Sequence, residues 1–247
     1  MKVELLDSYA ITSKLSGYWR VSVLDEISST QSELKNRNPE NWDLLVTEFQ
    51  SAGRGRLDRT FEAPKYSALL FSFYIEPTRA KGEWGFIPLL AGAAVAHTIN
   101  RLTISNDYSC KWPNDLLSNG KKIAGLLSES FGNGVIVGIG INVSTSENEL
   151  PTPNASSIFL ESKKYLNRNE LLIDFCKEFH QAFEKWNSGE NLIEYYKTVS
   201  STLNKSIKVI QPIGEVNGVA VDITSSGALV LEGGAEITVG DLIHLRD

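Results

Sequence analysis

Residues 121–143, KKIAGLLSESFGNGVIVGIGINV, predict two long strands joined by a tight turn. Both halves are rich in apolar and β-branched residues, and the turn GNG (132–134) contains residue types that tolerate positive φ. In the second strand, Gly138 and Gly140 leave one face without side chains. A ligand can approach such a face closely, and tight packing against another segment explains the two glycines equally well.

Segments before and after this hairpin predict more strands, with helices between them. Further strands are predicted at WRVSVLDEI (19–27), LLVTEFQ (44–50), SALLFSFYI (67–75) and DYSCKW (107–112). Helices are predicted at SSTQSELKNRN, opening on Ser29 or Thr30, at EWGFIPLLAGAAVAHTINRL (83–102) and at ELLIDFCKEFHQAFEKW (170–186). This order of elements predicts an α+β fold in which helices pack on a β-sheet.

The character of the sequence changes near residue 203. From Ser206 onward, short alternating strands are separated by glycine-containing turns: SIKVIQ, EVNGVAVDI, GALVLE, AEITV and DLIHLRD. Strands of this length and spacing predict a small β-barrel. We therefore expect a large domain over residues 1–203 and a small one over residues 204–247.

Composition and charge exclude several classes of protein. The 247 residues carry 24 Lys and Arg against 30 Asp and Glu, a formal net charge of −6 at pH 7, whereas a nucleic-acid-binding domain is normally basic. No apolar run reaches the roughly 20 residues that cross a bilayer, and the acidic N-terminus is unlike a signal peptide. Cys110 and Cys176, with three scattered histidines, form neither a disulfide framework nor a zinc site. We expect a soluble, cytoplasmic protein that binds neither nucleic acid nor membrane.

Residues 50–61, QSAGRGRLDRTF, are the most unusual segment of the chain. Three arginines lie within six residues and are interleaved with two glycines. Glycine lets backbone N–H groups approach an anion, and arginine binds phosphate or carboxylate through two parallel hydrogen bonds. Clustered cations repel one another unless an anion compensates them, which favours anion binding over an ordinary solvated loop. Because residues 51–66 have little to pack on, we expect this loop to be mobile until a ligand orders it.

Two further motifs place charged or amide side chains next to strands. KWPND (111–115) sets a lysine, an amide and a carboxylate around a proline turn, and a purely structural turn accounts for it equally well. KKIAG (121–125) places Lys122 directly before a buried strand, where an ammonium can act as a directed point charge. A surface lysine whose stem covers apolar groups is the commoner arrangement.

Taken together, the motifs carry a family resemblance. Q-x-x-G-R-G-R-x-x-R (50–59), KWPND (111–115), KIAGLL (122–127) and GIGINV (138–143) occur in the order found in the biotin–protein ligases, or biotin–acetyl-CoA-carboxylase ligases, and the chain resembles that family over nearly its whole length. The resemblance implies a mixed β-sheet with helices packed on it, as in the class II synthetases, followed by a small SH3-like β-barrel. Only about 20 residues precede the first core strand, so the chain resembles the monofunctional ligases rather than those that carry an N-terminal DNA-binding domain.

The resemblance also implies a reaction. In this family the carboxylate of biotin attacks the α-phosphate of ATP, and biotinyl-5′-AMP forms with release of pyrophosphate. A lysine of a biotin carboxyl carrier protein then takes the biotinyl group as an amide. The substrates and ion are therefore biotin, ATP and Mg²⁺, and the acceptor is the carrier domain of a biotin-dependent carboxylase. A homodimer is left open.

Site residues follow by matching motif positions. The resemblance assigns biotin binding to Ser29, Thr30, Gln31, Gln50, Gly53, Arg54, Gly55, Arg56, Lys122, Gly125 and Leu127. It assigns ATP binding to Arg56, Arg59, Phe61, Asn114, Asp115 and Asn142. Lys122, Arg54 and Arg56 are the implied catalytic residues, with Lys122 holding the reacting carboxylate and phosphate oxygen. Asp115 is the implied carboxylate on the magnesium side.

Three positions depart from the family pattern. Asp58 stands where glycine is common, Phe61 replaces a tryptophan expected against the adenine, and Gln31 replaces an asparagine. None of these changes removes a charge that the reaction needs. The alternative is a lipoate or octanoyl ligase or transferase on the same scaffold, whose substrate needs no hydroxyl and amide cluster for a ureido group.

Overall fold

The computed structural model describes residues 4–57, 59–211 and 214–245. Within them, seven strands form one sheet: β1 (Arg20–Ile27), β2 (Asp43–Gln50), β3 (Ala68–Ile75), β4 (Tyr108–Lys111), β5 (Asp115–Ser118), β6 (Lys121–Phe131) and β7 (Gly134–Asn142). Their order is β1-β2-β3-β7-β6-β5-β4. The β1–β2 pair is parallel and the other neighbouring pairs are antiparallel, so the sheet is mixed, as expected.

Helices cover this sheet and connect its strands. They are α1 (Ser8–Leu15), α2 (Thr30–Asn36), α3 (Ile87–Thr103), α4 (Ile158–Ser162), α5 (Arg168–Asn187) and α6 (Ile193–Lys197), with 3₁₀ segments at Lys81–Phe86 and Glu147–Glu149. α2 connects the two parallel strands, because such strands need a crossover rather than a hairpin turn. α3 and α5 pack against each other, and their buried apolar side chains belong to the main hydrophobic core. The α+β class predicted from the sequence is confirmed.

Local sequence signals account for most of these boundaries. The predicted N-cap of α2 is confirmed, since the Ser29 hydroxyl accepts from Ser32 N–H at the start of the helix. The helix predicted from residue 83 begins instead at Ile87, after a 3₁₀ segment. Pro88 explains the difference, because proline is tolerated in the first turn of an α-helix but not further inside. The sequence did not predict α1, α4 or α6, which are short.

β3 and β7 lie at the centre of the sheet, and this position follows from their composition. Every residue of β3 is buried, as are all residues of β7 except Gly138. Continuous apolar runs of this kind suit a strand that is covered on both faces. The hairpin predicted from residues 121–143 is therefore confirmed and forms the part of the sheet on which the site is built.

A second, antiparallel sheet follows. Within residues 204–211 and 214–245 it contains β8 (Lys205–Gln211), β9 (Gly214–Ile223), β10 (Leu229–Leu231), β11 (Glu236–Ile237) and β12 (Asp241–His244), in the order β11-β10-β9-β8-β12. These are the strands predicted for the small SH3-like domain. The Trp112 indole N–H donates to the Gly227 carbonyl at 3.0 Å, and Lys197 Nζ lies 2.8 Å from Asp222 Oδ1. The C-terminal unit thus contacts the KWPND turn and α6.

Among the described residues, none of the helices combines the length and the apolar character that a membrane span requires.

Candidate active site

A cavity of about 410 Å³ lies where β6, β7, residues 54–56 and 59–61 and the C-terminal sheet meet. Most of the residues that the resemblance assigned to biotin or ATP line it: Ser29, Thr30, Gln31, Gln50, Arg54, Gly55, Arg56, Arg59, Phe61, Asn114, Asp115, Lys122, Gly125 and Leu127. Positions up to 98 residues apart in sequence are thus brought to one place by the sheet. Gly53 and Asn142 do not line this cavity, and both lie beside it.

One end of the cavity is a buried hydroxyl and amide cluster. Thr30 donates its backbone N–H and its hydroxyl to Gln50 Oε1, at 2.6 and 3.0 Å. The Thr30 hydroxyl also lies 2.7 Å from Ser72 Oγ. Because Thr30 has one hydroxyl proton and gives it to Gln50, Ser72 is the donor in that second bond. The cluster is therefore ordered before any ligand arrives, which suits recognition of a polar head group.

The floor of the cavity is formed by glycines on β6 and β7. A Cβ atom at Gly140 would come within 2.5 Å of the Phe61 ring, and one at Gly125 within 3.2 Å of Lys122 Nζ. The glycines therefore let Phe61 and Lys122 lie directly against the sheet. Leu126 and Leu127 complete this part of the lining.

A second cavity, of about 550 Å³, lies on the other side of Phe61 and Lys122 and is lined also by Asn142, Thr152 and Ala155. The Asn142 side chain is buried and donates from Nδ2 to the Ser156 carbonyl at 3.0 Å. This bond fixes Asn142 in the wall of the second cavity. Phe61 and Lys122 stand between the two spaces, so a ligand that extends through both would pass them.

The other end of the first cavity carries the cations. Lys122 Nζ lies 2.6 Å from Asp115 Oδ1, in a contact whose angle is outside hydrogen-bond geometry. Arg56 Nη1 donates to Asn114 Oδ1 at 2.8 Å. Burial lowers the pKa of the Lys111 ammonium and of the Arg56 guanidinium, although nearby carboxylates act in the opposite direction. Half-buried cations that outnumber the nearby carboxylates make this end a binding place for an anion.

Residues 53–57 and 59–61 lie over the cavity as the two arms of a small hairpin. Phe61 N–H donates to the Gly53 carbonyl at 3.0 Å, and Gly55 N–H donates to the Arg59 carbonyl at 2.7 Å. A Cβ at Gly53 would lie 2.2 Å from the Phe61 carbonyl oxygen, so this glycine allows the loop to return close to its own start. Asp58, which departs from the family pattern, lies outside the described residues.

Two acids contact the loop. Arg54 contacts both carboxylate oxygens of Glu129, at 3.1 and 3.3 Å, and Arg59 contacts Asp241 of the C-terminal sheet. Arg56 Nη2 also lies 3.5 Å from the Gly240 carbonyl. The guanidinium group of Arg54 therefore contacts the large sheet, and those of Arg56 and Arg59 contact the C-terminal unit. The cavity lies between these two sets of contacts.

Comparisons with known proteins agree with this geometry. The profile of the biotin/lipoate A/B protein ligase family matches residues 23–146, and the profile of the biotin protein ligase C terminal domain matches residues 202–244. The chain belongs to the biotin/lipoate A/B protein ligase family. These two matches cover the lining of the cavity from both sheets.

Individual proteins similar to this chain support the same family assignment. It is 31% identical over 246 residues to the biotin–[acetyl-CoA-carboxylase] ligase of Mycobacterium tuberculosis, covering 94% of this chain and 91% of that protein. It is 30% identical to the bifunctional ligase/repressor BirA of Escherichia coli, covering 93% of this chain and 74% of that protein. The structure of biotin protein ligase from Aquifex aeolicus in complex with biotin and ATP superimposes with a TM-score of 0.81 at 28% identity, covering 92% and 99% of the two chains.

Several lining residues of this ligase-family site were not found from the sequence. Ser72 is a polar residue in an otherwise apolar buried strand, a signal that could have identified it. Lys111 was noticed within its motif but was not assigned to the site, and it lines the cavity. The C-terminal sheet adds Ile210, Asp241, Leu242 and Ile243. Nothing local to those four positions predicts that contribution, because it depends on how the two sheets contact each other.

Proposed function

We propose that the protein is a biotin–protein ligase, which activates biotin as biotinyl-5′-AMP and transfers the biotinyl group to a lysine of a biotin carboxyl carrier protein. The observation that carries the proposal is a single cavity that joins a preformed hydroxyl and amide cluster to a cationic end. One relative named above is a biotin–[acetyl-CoA-carboxylase] ligase, and one of the similar structures is a biotin protein ligase in complex with biotin and ATP. We also propose the division into a catalytic domain, residues 1–203, and a C-terminal domain, residues 204–247.

The cavity can promote the first step by neutralising and positioning charge. A carboxylate oxygen of biotin forms a bond to the α-phosphorus of ATP, and the bond to the pyrophosphate leaving group breaks. Two anions must approach each other, so Lys122 and Arg56 reduce their repulsion and stabilise the charge that develops on the phosphate, whereas Arg54 is paired with Glu129 beside the head-group cluster. The carboxylate is already a nucleophile, so this step requires no general base.

In the second step the acceptor amine replaces AMP. The lysine nitrogen of the carrier protein forms a bond to the acyl carbon of the adenylate, the bond to the AMP oxygen breaks, and the nitrogen loses a proton. The loop over the cavity excludes water from the acyl-phosphate in the meantime. Its arginines would be the main contacts to the phosphate of the intermediate.

The remaining roles follow from position in the two cavities. We assign the ureido end of biotin to Ser29, Thr30, Gln31 and Gln50, and the nucleotide to the second cavity beside Phe61 and Asn142. Mg²⁺ enters with ATP as part of the substrate. Magnesium in such sites is held by one or two carboxylates together with substrate phosphates, and the Asp115 carboxylate suits that donor set. The described residues contain no cluster of three or more His, Cys, Asp or Glu that would hold the ion without ATP.

The alternative substrate is lipoate or octanoate. The family profile covers both kinds of ligase, but lipoate and octanoate have no ureido group for the hydroxyl and amide cluster. Buried polar groups left unpaired reject an analogue strongly. Pyrophosphate release from ATP should therefore require biotin, with little release when lipoate or octanoate replaces it. Equal release with lipoate would overturn the assignment of biotin.

Removing one hydroxyl from the head-group cluster should weaken biotin binding. Thr30→Val keeps the shape of the side chain but removes the hydroxyl that donates to Gln50 and accepts from Ser72, so that only the backbone N–H of residue 30 still donates to Gln50. We expect KM for biotin to rise roughly tenfold, and the free energy of unfolding to fall by about 1–3 kcal/mol because the buried Ser72 hydroxyl loses its partner. Steady-state kinetics with varied biotin measures this, and Thr12→Val on an exposed helix face is the matched control. An unchanged KM would remove Thr30 from the binding site.

The arginine loop should become protected when the intermediate forms. Its ion pairs to Glu129 and Asp241 are exposed, and pairs of that kind contribute at most about 1 kcal/mol each. We therefore expect trypsin to cut at Arg54, Arg56 and Arg59 in the empty protein and more slowly with biotin and ATP. Cleavage at exposed Lys163 serves as the internal control. Equal cutting at the loop in both conditions would show that the ligand does not order it.

A further inference from the structure

Glu129, on β6, is an acceptor shared by three side chains next to the head-group cluster. Gln31 Nε2 donates to Glu129 Oε2 at 2.6 Å, and Lys35 Nζ lies 2.9 Å from the same oxygen. Arg54 contacts both oxygens, at 3.1 and 3.3 Å. Cations around a surface acid are common and contribute little. The Gln31 contact is different, because Gln31 is 3% exposed and lines the cavity.

The charge on Glu129 decides which end of the Gln31 amide faces the cavity. Burial alone would raise the pKa of Glu129, but the hydrogen bonds from Lys35 and Arg54 outweigh it and hold the pKa below its ordinary value. The carboxylate is therefore ionised at neutral pH and can only accept hydrogen bonds. The Gln31 nitrogen must face Glu129, which turns the amide oxygen away from it.

That oxygen lies over a position without a side chain. A Cβ at Gly138 would come within 2.7 Å of Gln31 Oε1 and 3.1 Å of Ser72 Oγ. Glycine at this position leaves room for the oxygen and keeps it open to the cavity. An acceptor here suits an N–H donor, which the ureido group of biotin has and the dithiolane ring of lipoate lacks.

We propose that Glu129 is a positioning residue for biotin recognition: it holds the Gln31 carboxamide so that the oxygen accepts a hydrogen bond from a ureido N–H. The inference rests on the proposed function, since it places the head group of biotin in this cavity. It gives a part in substrate selection to a side chain that does not line the 410 Å³ cavity itself.

The test is Glu129→Gln, which keeps the size of the side chain. A glutamine can accept from Gln31 or donate to it, so the Gln31 amide loses its fixed orientation. We expect the Kd for biotin, measured by calorimetry without nucleotide, to rise about tenfold. In kinetics, KM for biotin should rise by a similar factor while kcat changes less than about twofold. Lys35→Met is the matched control, because it removes a cation from the same carboxylate and leaves the Gln31 bond in place.

A double-mutant cycle separates positioning from a general structural effect. If Glu129 acts through Gln31, then Glu129→Gln added to Gln31→Met should weaken biotin binding no further than Gln31→Met alone. Full additivity would mean that Glu129 acts by another route, for example through Arg54, and would overturn the inference. An unchanged Kd in the single Glu129→Gln variant would overturn it as well.

The two proposals can fail separately. The wild-type protein could bind biotin, and the double-mutant cycle could show that Glu129 acts through Gln31, while no pyrophosphate is released. That result would contradict the ligase activity but not the role of Glu129. Wild-type protein with full activity and no effect of Glu129→Gln would contradict only the inference. Failure of the wild-type protein to bind biotin would contradict both proposals.

Discussion

Lys122→Ala is expected to lower the rate of pyrophosphate release roughly 10²–10³-fold, a loss of about 2.7–4 kcal/mol of transition-state stabilisation. Lys122 borders both cavities and therefore stands where the biotin carboxylate and the α-phosphate would meet. Its side chain is 40% exposed, so its loss should leave the fold intact. Pre-steady-state measurement of pyrophosphate release with biotin and ATP gives the rate of adenylate formation.

The neighbouring lysine provides the control for this experiment. Lys121 is exposed, and Lys121→Ala should keep wild-type kinetics and thermal stability. Near wild-type pyrophosphate release in Lys122→Ala would contradict the assignment. Lys111, which also lines the cavity and has a lowered pKa, would then be the next lysine to test.

Arg168→Met is expected to produce the largest loss of stability, about 3–5 kcal/mol. Arg168 Nη1 lies 2.5 Å from Glu48 Oε2, and both side chains are 5% exposed. Arg168 also donates to the Ala68 and Glu4 carbonyls, at 3.1 and 2.6 Å, so it joins α5, β3 and the N-terminal segment. Its removal would leave a buried carboxylate without its counter-charge. Equilibrium unfolding in urea measures the change in free energy.

An exposed ion pair is the matched control for that effect. Arg20 Nε lies 2.8 Å from Asp43 Oδ1, with side chains 52% and 24% exposed, and Arg20→Met should cost no more than about 1 kcal/mol. Similar losses in the two variants would show that burial of the Arg168–Glu48 pair is not what makes it important.

The sequence predicted those parts of the molecule that depend on local pattern. The hairpin of β6 and β7, the N-cap at Ser29 and the amphipathic α5 each follow from residue types within one short segment. The strand β5 was missed, because four residues directly after a proline turn carry too short a pattern. From the sequence, Gly138 and Gly140 could serve either the close approach of a ligand or tight packing against another segment. In the structure Gln31 and Phe61 pack on them at the floor of a cavity, so both interpretations hold in part.

The site was predictable only where its residues lie in motifs. Ser29 to Gln31, Gln50 and Lys122 could be assigned by family resemblance, and the structure brings them to one cavity. Their partners were not found, since Ser72 of β3 and Glu129 of β6 meet Thr30 and Gln31 of α2 from strands that are distant in sequence. Such contacts are set by strand order and register, which the residues of one segment do not reveal.

The most direct test of biotin transfer is the intact mass of the acceptor. Wild-type protein incubated with biotin, ATP, Mg²⁺ and a biotin carboxyl carrier domain should raise the intact mass of the carrier by one biotinyl group, with no increase when its acceptor lysine is replaced by arginine. A carrier whose mass stays unchanged in the complete mixture, while a known biotin ligase modifies the same preparation, would contradict the proposed function.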